Sequence, residues 1–174
     1  LDGESDQTGY IYVLDLRTGE LKMKKDVSEI DSLLSGKSVF MASPITIDLE
    51  LDYQVDIAYI GLSWKENSAW AGEIIRLETG EDTNPDNWKF STFIRFDEPV
   101  TSAPTAALDP FDRLWIFWGT GRYFSDDDKT DTSEQKLYGA WDPRTDDDND
   151  GITDPIYVSS LNDVTNVYVY EQGY

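Results

Sequence analysis

The stretch Asp146-Asp147-Asp148-Asn149-Asp150-Gly151-Ile152-Thr153-Asp154 carries the clearest chemical signal in the sequence. Hard Ca²⁺ takes roughly six to eight oxygen ligands, and an EF-hand-type loop supplies them from alternate positions. Asp146, Asp148 and Asp150 fall at loop positions 1, 3 and 5, and Gly151 at position 6 permits the sharp bend. Ile152 at position 7 offers its carbonyl, and Asp154 at position 9 a direct or water-mediated oxygen. Tyr157 stands where the bidentate Glu of position 12 belongs, so a more distant acid such as Asp163 is the expected substitute. Affinity should then be modest, on the order of 10⁻⁴–10⁻³ M. Carboxylates packed this densely repel one another without a counter-ion, which favours a bound cation over a merely solvated loop.

Asp48-Leu49-Glu50-Leu51-Asp52-Tyr53-Gln54-Val55-Asp56 repeats the pattern less well. Alternation puts Asp48, Glu50 and Asp52 on one side, but Tyr53 replaces the bend glycine, and a residue with a Cβ resists positive φ there. This copy reads as a polar strand edge. Asp126-Asp127-Asp128 lacks ligand spacing and reads as a solvated loop. Gly119-Thr120-Gly121-Arg122 lacks the spacing of a phosphate-binding loop and reads as a tight turn. The chain has 35 acids, yet nothing singles out a catalytic pair.

Composition narrows the chemistry further. There is no Cys and no His, so disulfides, Cys/His zinc sites, thiol nucleophiles and Ser-His-Asp triads are excluded. With 14 basic against 35 acidic residues the net charge is −21, a surface that repels nucleic acid and anionic lipid and suits cations or a basic partner. The 6 Trp and 10 Tyr separate the chain from disordered acidic segments, so it should fold. No apolar run approaches the roughly 20 residues of a membrane helix. A start at Leu1, with no Met and no signal segment, reads as a processed or excised piece of something longer.

The elements that must position the acidic loop are mostly strands. β-branched and aromatic runs stand at residues 10–16, 38–47, 57–64, 72–78, 89–96, 113–118, 136–142, 155–159 and 166–170, parted by Gly, Pro, Asn and Asp. This pattern predicts an all-β, antiparallel architecture. One short inserted helix is expected over residues 27–35, with Asp26 as its cap and Gly36 as its stop. Leu114-Trp115-Ile116-Phe117-Trp118 predicts a strand buried on both faces. Polar turns containing Thr18, Thr79 and Thr145 suggest blade repeats, though spaced more widely than the roughly 40–50 residues of a propeller blade. Nine strands at about four per blade make two to three blades, fewer than closure requires, so residues 1–174 read as one domain or part of a larger ring.

The motifs also resemble a known family. Trp118-Gly119-Thr120-Gly121-Arg122-Tyr123-Phe124 followed by Gln135-Lys136-Leu137-Tyr138-Gly139-Ala140-Trp141-Asp142 is similar to the C-terminal β-propeller of PilY/PilC type IV pilus biogenesis and tip-adhesin proteins. Val100-Thr101-Ser102-Ala103-Pro104, Val55-Asp56-Ile57-Ala58-Tyr59-Ile60-Gly61 and Gly72-Glu73-Ile74-Ile75-Arg76-Leu77 match further strands of that family in order. Residues 9–20 look like its quinoprotein-type blade turn. The resemblance implies a modified, quinoprotein-like β-propeller, exported and pilus-associated at the cell surface. It implies support of pilus assembly and surface attachment, with calcium as regulator and no enzymatic activity. Pilus subunits, minor pilins among them, and the remainder of its own propeller are the implied partners. The family's calcium loop falls on Asp48, Glu50, Asp52 and Asp56, whereas the better-formed loop here is 146–154, so either or both are candidates. Two rivals stand beside this reading: a carbohydrate-binding module using exposed Trp64, Trp70 or Trp88, and a quinone-dependent dehydrogenase propeller.

Overall fold

The first hairpin joins β1 (Tyr10–Leu14) to β2 (Leu21–Asp26), antiparallel through a turn in which Asp15 Oδ1 accepts the amides of Arg17 and Thr18. This is a computed structural model, and it describes residues 7–167. β2 was not foreseen: its Lys-rich sequence LKMKKD hides the alternation of Leu21, Met23 and Lys25.

The helix expected over residues 27–35 is instead two 3₁₀ turns, Val27–Glu29 and Ser32–Leu34. Asp26 caps the first, as expected, by accepting from the Ser28 amide. Asp31 then accepts from the Leu33 amide with its own backbone extended, and so restarts the chain rather than continuing it. Short polar side chains that bond nearby amides compete with a continuous helix in this way.

The run at 38–47 splits at Ala42–Pro44 into β3 (Val39–Met41) and β4 (Ile45–Ile47), because Pro44 has no amide to continue a ladder. Both pair antiparallel with β5 (Ile57–Glu66). A tight turn at Asn67 and Ser68, φ 48° and 70°, returns the chain into β6 (Ala69–Glu78), which pairs with β7 (Lys89–Phe96). The second sheet is a meander of β8 (Thr105–Leu108), β9 (Leu114–Gly119) and β10 (Leu137–Trp141). Finally β11 (Ile156–Tyr157) returns to the large sheet and lies parallel to β7, the one departure from the antiparallel expectation among the described residues. The strand expected at 166–170 begins in a turn at Asn166, and residues 168–170 lie outside the described part.

Two-sided burial falls on β5, not on β9. Tyr59 and Ile57 face a core shared with Ile74, Phe93, Phe96, Val100, Leu114, Ile116 and Trp118. Ile60, Leu62 and Trp64 face a second core with Val27, Leu34, Val39 and Ile75. Only one face of β9 is buried, since Phe117 is 36 % exposed. The Phe117 ring covers the backbone of Gly139 on β10, where a Cβ would meet it at 2.7 Å. Trp118 stacks on Phe96 and Tyr138 and thereby fastens the small sheet to the large one.

Candidate metal centre

Beyond β10 the chain turns inward for one residue. Asp142 is buried, its Oδ1 accepting from Arg76 Nη1 at 2.6 Å and from the Arg144 amide at 3.0 Å. Its Oδ2 accepts from the Tyr59 hydroxyl at 2.5 Å. Burial, and then the Asp142 charge, push the Tyr59 phenol far above its ordinary pKa, so it stays a donor. The acidic loop leaves from this fixed point.

Within the loop, Asp146 accepts from the amides of Asp150 (3.1 Å) and Gly151 (2.9 Å). Asp148 accepts from Asp150 (3.1 Å), and Asp150 from Ile152 (2.7 Å). These bonds bend the loop through positive φ at Asn149 (60°) and Gly151 (84°). The result gathers one carboxylate oxygen each from Asp146, Asp148 and Asp150 within 4.8 Å of one another. At that spacing each like-charged pair repels by about 1 kcal/mol even in bulk water. Among the described residues no Lys or Arg pairs with these three. An all-oxygen, anionic donor set at alternate positions fits a hard divalent cation.

The remaining expected ligands behave differently. Asp154 Oδ2 accepts from the Asp147 amide at 2.6 Å and so braces the two limbs of the loop. Tyr157 is in β11, and Asp163 accepts from the Thr165 amide and does not join the three clustered carboxylates. The exit of the loop is held hard. Arg76 Nη2 donates to the carbonyls of Thr153 (2.8 Å) and Asp154 (3.1 Å), and the Thr153 hydroxyl donates to Glu78 at 2.5 Å.

The loop between β4 and β5 repeats this backbone. Asp48 accepts from the amides of Asp52 (3.2 Å) and Tyr53 (2.8 Å), as Asp146 does from Asp150 and Gly151. Asp56 accepts from the Leu49 amide as Asp154 does from Asp147, and Asp52 accepts from Gln54 as Asp150 does from Ile152. Leu51 and Tyr53 have φ of 59° and 72°, so the expectation that Tyr53 would resist the bend is corrected. Tyr53 is 99 % exposed, which leaves its ring free of clashes while the backbone takes the left-handed form. The acids at 48, 50 and 52 do not cluster as those of the second loop do.

Other expectations resolve case by case. Asp128 is not solvated: it accepts from the amides of Ser125 and Phe124 and pairs with Arg122 at 2.8 Å, and these bonds hold its carboxyl below the usual range. The Gly119–Arg122 turn is tied by Thr120 to Lys136 and by Gly121 to Pro99. Trp64 is 2 % exposed and belongs to the core, and Trp88 donates its indole N–H to the Asp82 carbonyl. Trp70 alone of the three lines a groove, about 420 Å³, with Phe40, Lys37 and Lys65.

The architecture is thus all-β, with antiparallel sheets of blade-like order and an acidic loop hung from a buried ion pair. The chain belongs to the PilY1 beta-propeller domain family, whose model matches residues 1–166. Among solved structures it is similar to the Pseudomonas aeruginosa PilY1 C-terminal domain, with a TM-score of 0.63 and 22 % identity. That match covers 86 % of this chain and 34 % of the other, so the chain spans about a third of that structure. No curated protein matches the sequence.

The motif residues of the family converge in space. Tyr59, Arg76 and Asp142 come from three separate motifs and form one buried network. Gly61 from the first of them gives room to Val100 from a fourth. Spacing alone did not point to Arg76 or Glu73, though a charge set inside the apolar run Ile74-Ile75-Arg76-Leu77 is the signal that could have.

Proposed function

We propose that this chain is a calcium-binding part of a type IV pilus biogenesis or tip protein, exported and held at the pilus-bearing cell surface. It works as a non-enzymatic scaffold that supports pilus assembly and attachment through protein partners, with pilus subunits and the rest of its own propeller as the surfaces it meets. The convergence of Asp146, Asp148 and Asp150 within 4.8 Å carries the calcium reading. Ca²⁺ at the loop neutralises the cluster and draws its carboxylates together on a bend the backbone already holds, and its loss restores the charge repulsion and alters the surface offered to partners. Asp146, Asp148 and Asp150 supply side-chain oxygens, Ile152 its carbonyl, and Asp154 an oxygen directly or through water.

The test is calcium titration by calorimetry, with thermal melts in chelator, on the wild type and on Asp148→Ala/Asp150→Ala. Binding near 10⁻⁴–10⁻³ M that raises the melting temperature and vanishes in the variant supports the reading. Equal binding in both moves the site to the Asp48–Asp56 loop. No binding in either refutes calcium as a ligand. Glycan binding that persists in chelator and disappears in Trp70→Ala would instead favour the carbohydrate-binding rival.

A further inference from the structure

We infer that Arg76 is the positioning residue of the 146–154 loop, presetting its exit limb for metal through bonds to backbone rather than by touching the ion; this rests on calcium binding at that loop. Arg76 is fully buried, paired with the buried Asp142 at 2.6 Å and more loosely with the partly exposed Glu78 at 3.8 Å. Its Nε and Nη2 donate to Ser91 Oγ at 3.1 Å, its Nη1 to Asp142 at 2.6 Å, and Nη2 also to the Thr153 and Asp154 carbonyls. The peptide joining Thr153 to Asp154 is tied at both ends, because the Asp154 amide donates to the Thr145 carbonyl at 2.7 Å. The side chain of Asp154 then fixes the entry limb through the Asp147 amide. A guanidinium is suited to this task, since its planar fork serves a carboxylate and two carbonyls at once, which an ammonium does not.

Repulsion among the three clustered carboxylates would otherwise open an exposed loop. With the exit limb bonded to the sheet, the loop holds its bend without metal, and the ion does not have to order it on binding. Outer residues that orient ligands in this way typically change metal affinity by about 10–100-fold when removed. The first acidic loop provides an internal control. Its exit is held by Thr79, which donates to the Val55 carbonyl and whose amide donates to Asp56, with no bond to Arg76.

The experiment compares wild type, Arg76→Lys, and the paired Arg76→Met/Asp142→Leu, by calcium calorimetry and by melts with calcium and with chelator. Arg76→Lys keeps the ion pair and loses the fork; the paired variant removes both buried charges together. The expected result is calcium binding at the 146–154 loop weakened about 10–100-fold in both, with a smaller calcium-dependent rise in melting temperature. A melting temperature lowered equally with and without calcium, at unchanged affinity, would show a merely structural role and overturn the inference. Absence of binding in the wild type would overturn the calcium reading itself. If neither variant folds, hydrogen exchange on wild type in chelator decides: amides 150–154 protected to the level of β6 support a preset loop, and exchange at the rate of a free loop refutes it.

Discussion

Glu73 gives the most direct test of the electrostatics of this fold. It is fully buried, with Arg95 donating to its Oε2 at 3.1 Å, and Arg95 also pairs with Asp31. One guanidinium faces two carboxylates, and burial pushes the Glu73 carboxyl from its ordinary 4.5 up to about 8. Folded protein therefore keeps a proton that the unfolded chain releases above pH 4.5. Stability from this group is complete below pH 4.5 and is lost as pH rises towards 8. At 1.36 kcal/mol per unit the whole interval is worth at most about 5 kcal/mol, and the attraction of Arg95 reduces it. The chain has no His, so no imidazole titrates in this interval, and comparison with Glu73→Gln isolates the buried carboxyl. Urea unfolding in chelator from pH 5.5 to 8 should show wild type losing up to about 3 kcal/mol, while Glu73→Gln stays flat. A flat wild type, or an equal slope in Glu73→Gln, would refute the argument.

Two further substitutions probe backbone geometry. Tyr53→Gly removes a Cβ from a left-handed residue whose ring touches little, and should stabilise the protein by roughly 0.5–1 kcal/mol in thermal melts, net of the entropy glycine loses on folding. Gly72→Ala places a Cβ against the Glu98 carbonyl and the Phe96 ring, and should destabilise by at least about 2 kcal/mol in denaturant unfolding, because backbone on that side has no room to move.

The fold class was legible because the β-branched and aromatic runs are bounded by strong turn signals, and ten-residue strands such as β5 leave little ambiguity. Boundaries failed where local chemistry overrode pattern. Asp31 restarted a helix that Ile30, Leu33 and Leu34 would have continued, and Pro44 divided a strand whose side chains alternate without a break. Sidedness failed at β9, since a sequence shows that Trp115 and Phe117 are large but not whether another sheet covers them. The bend at 146–154 and the gathering of Asp146, Asp148 and Asp150 were legible, because the hydrogen bonds that make them close within the loop. Its support was not, because Asp142 meets Arg76 from 66 positions away and Tyr59 from 83. Tyr53 failed for a subtler reason: a steric preference of about 1–2 kcal/mol gave way to several backbone bonds that needed the bend.

The parallel pairing of β11 with β7 has a consequence for the order in which the molecule assembles. Hairpins such as β5–β6 join neighbours and can form early, whereas Ile156 must find Ile94 after three intervening strands and the acidic loop have been laid down. Non-local pairing of this kind slows folding, because chain entropy is lost before contacts compensate it. Until that step Arg76 lacks the carbonyls of Thr153 and Asp154, so the metal loop is the last part to acquire its shape. A chain emerging from its N-terminus would thus hold a formed central sheet well before it could hold an ion, and calcium would report on completion of the fold rather than start it.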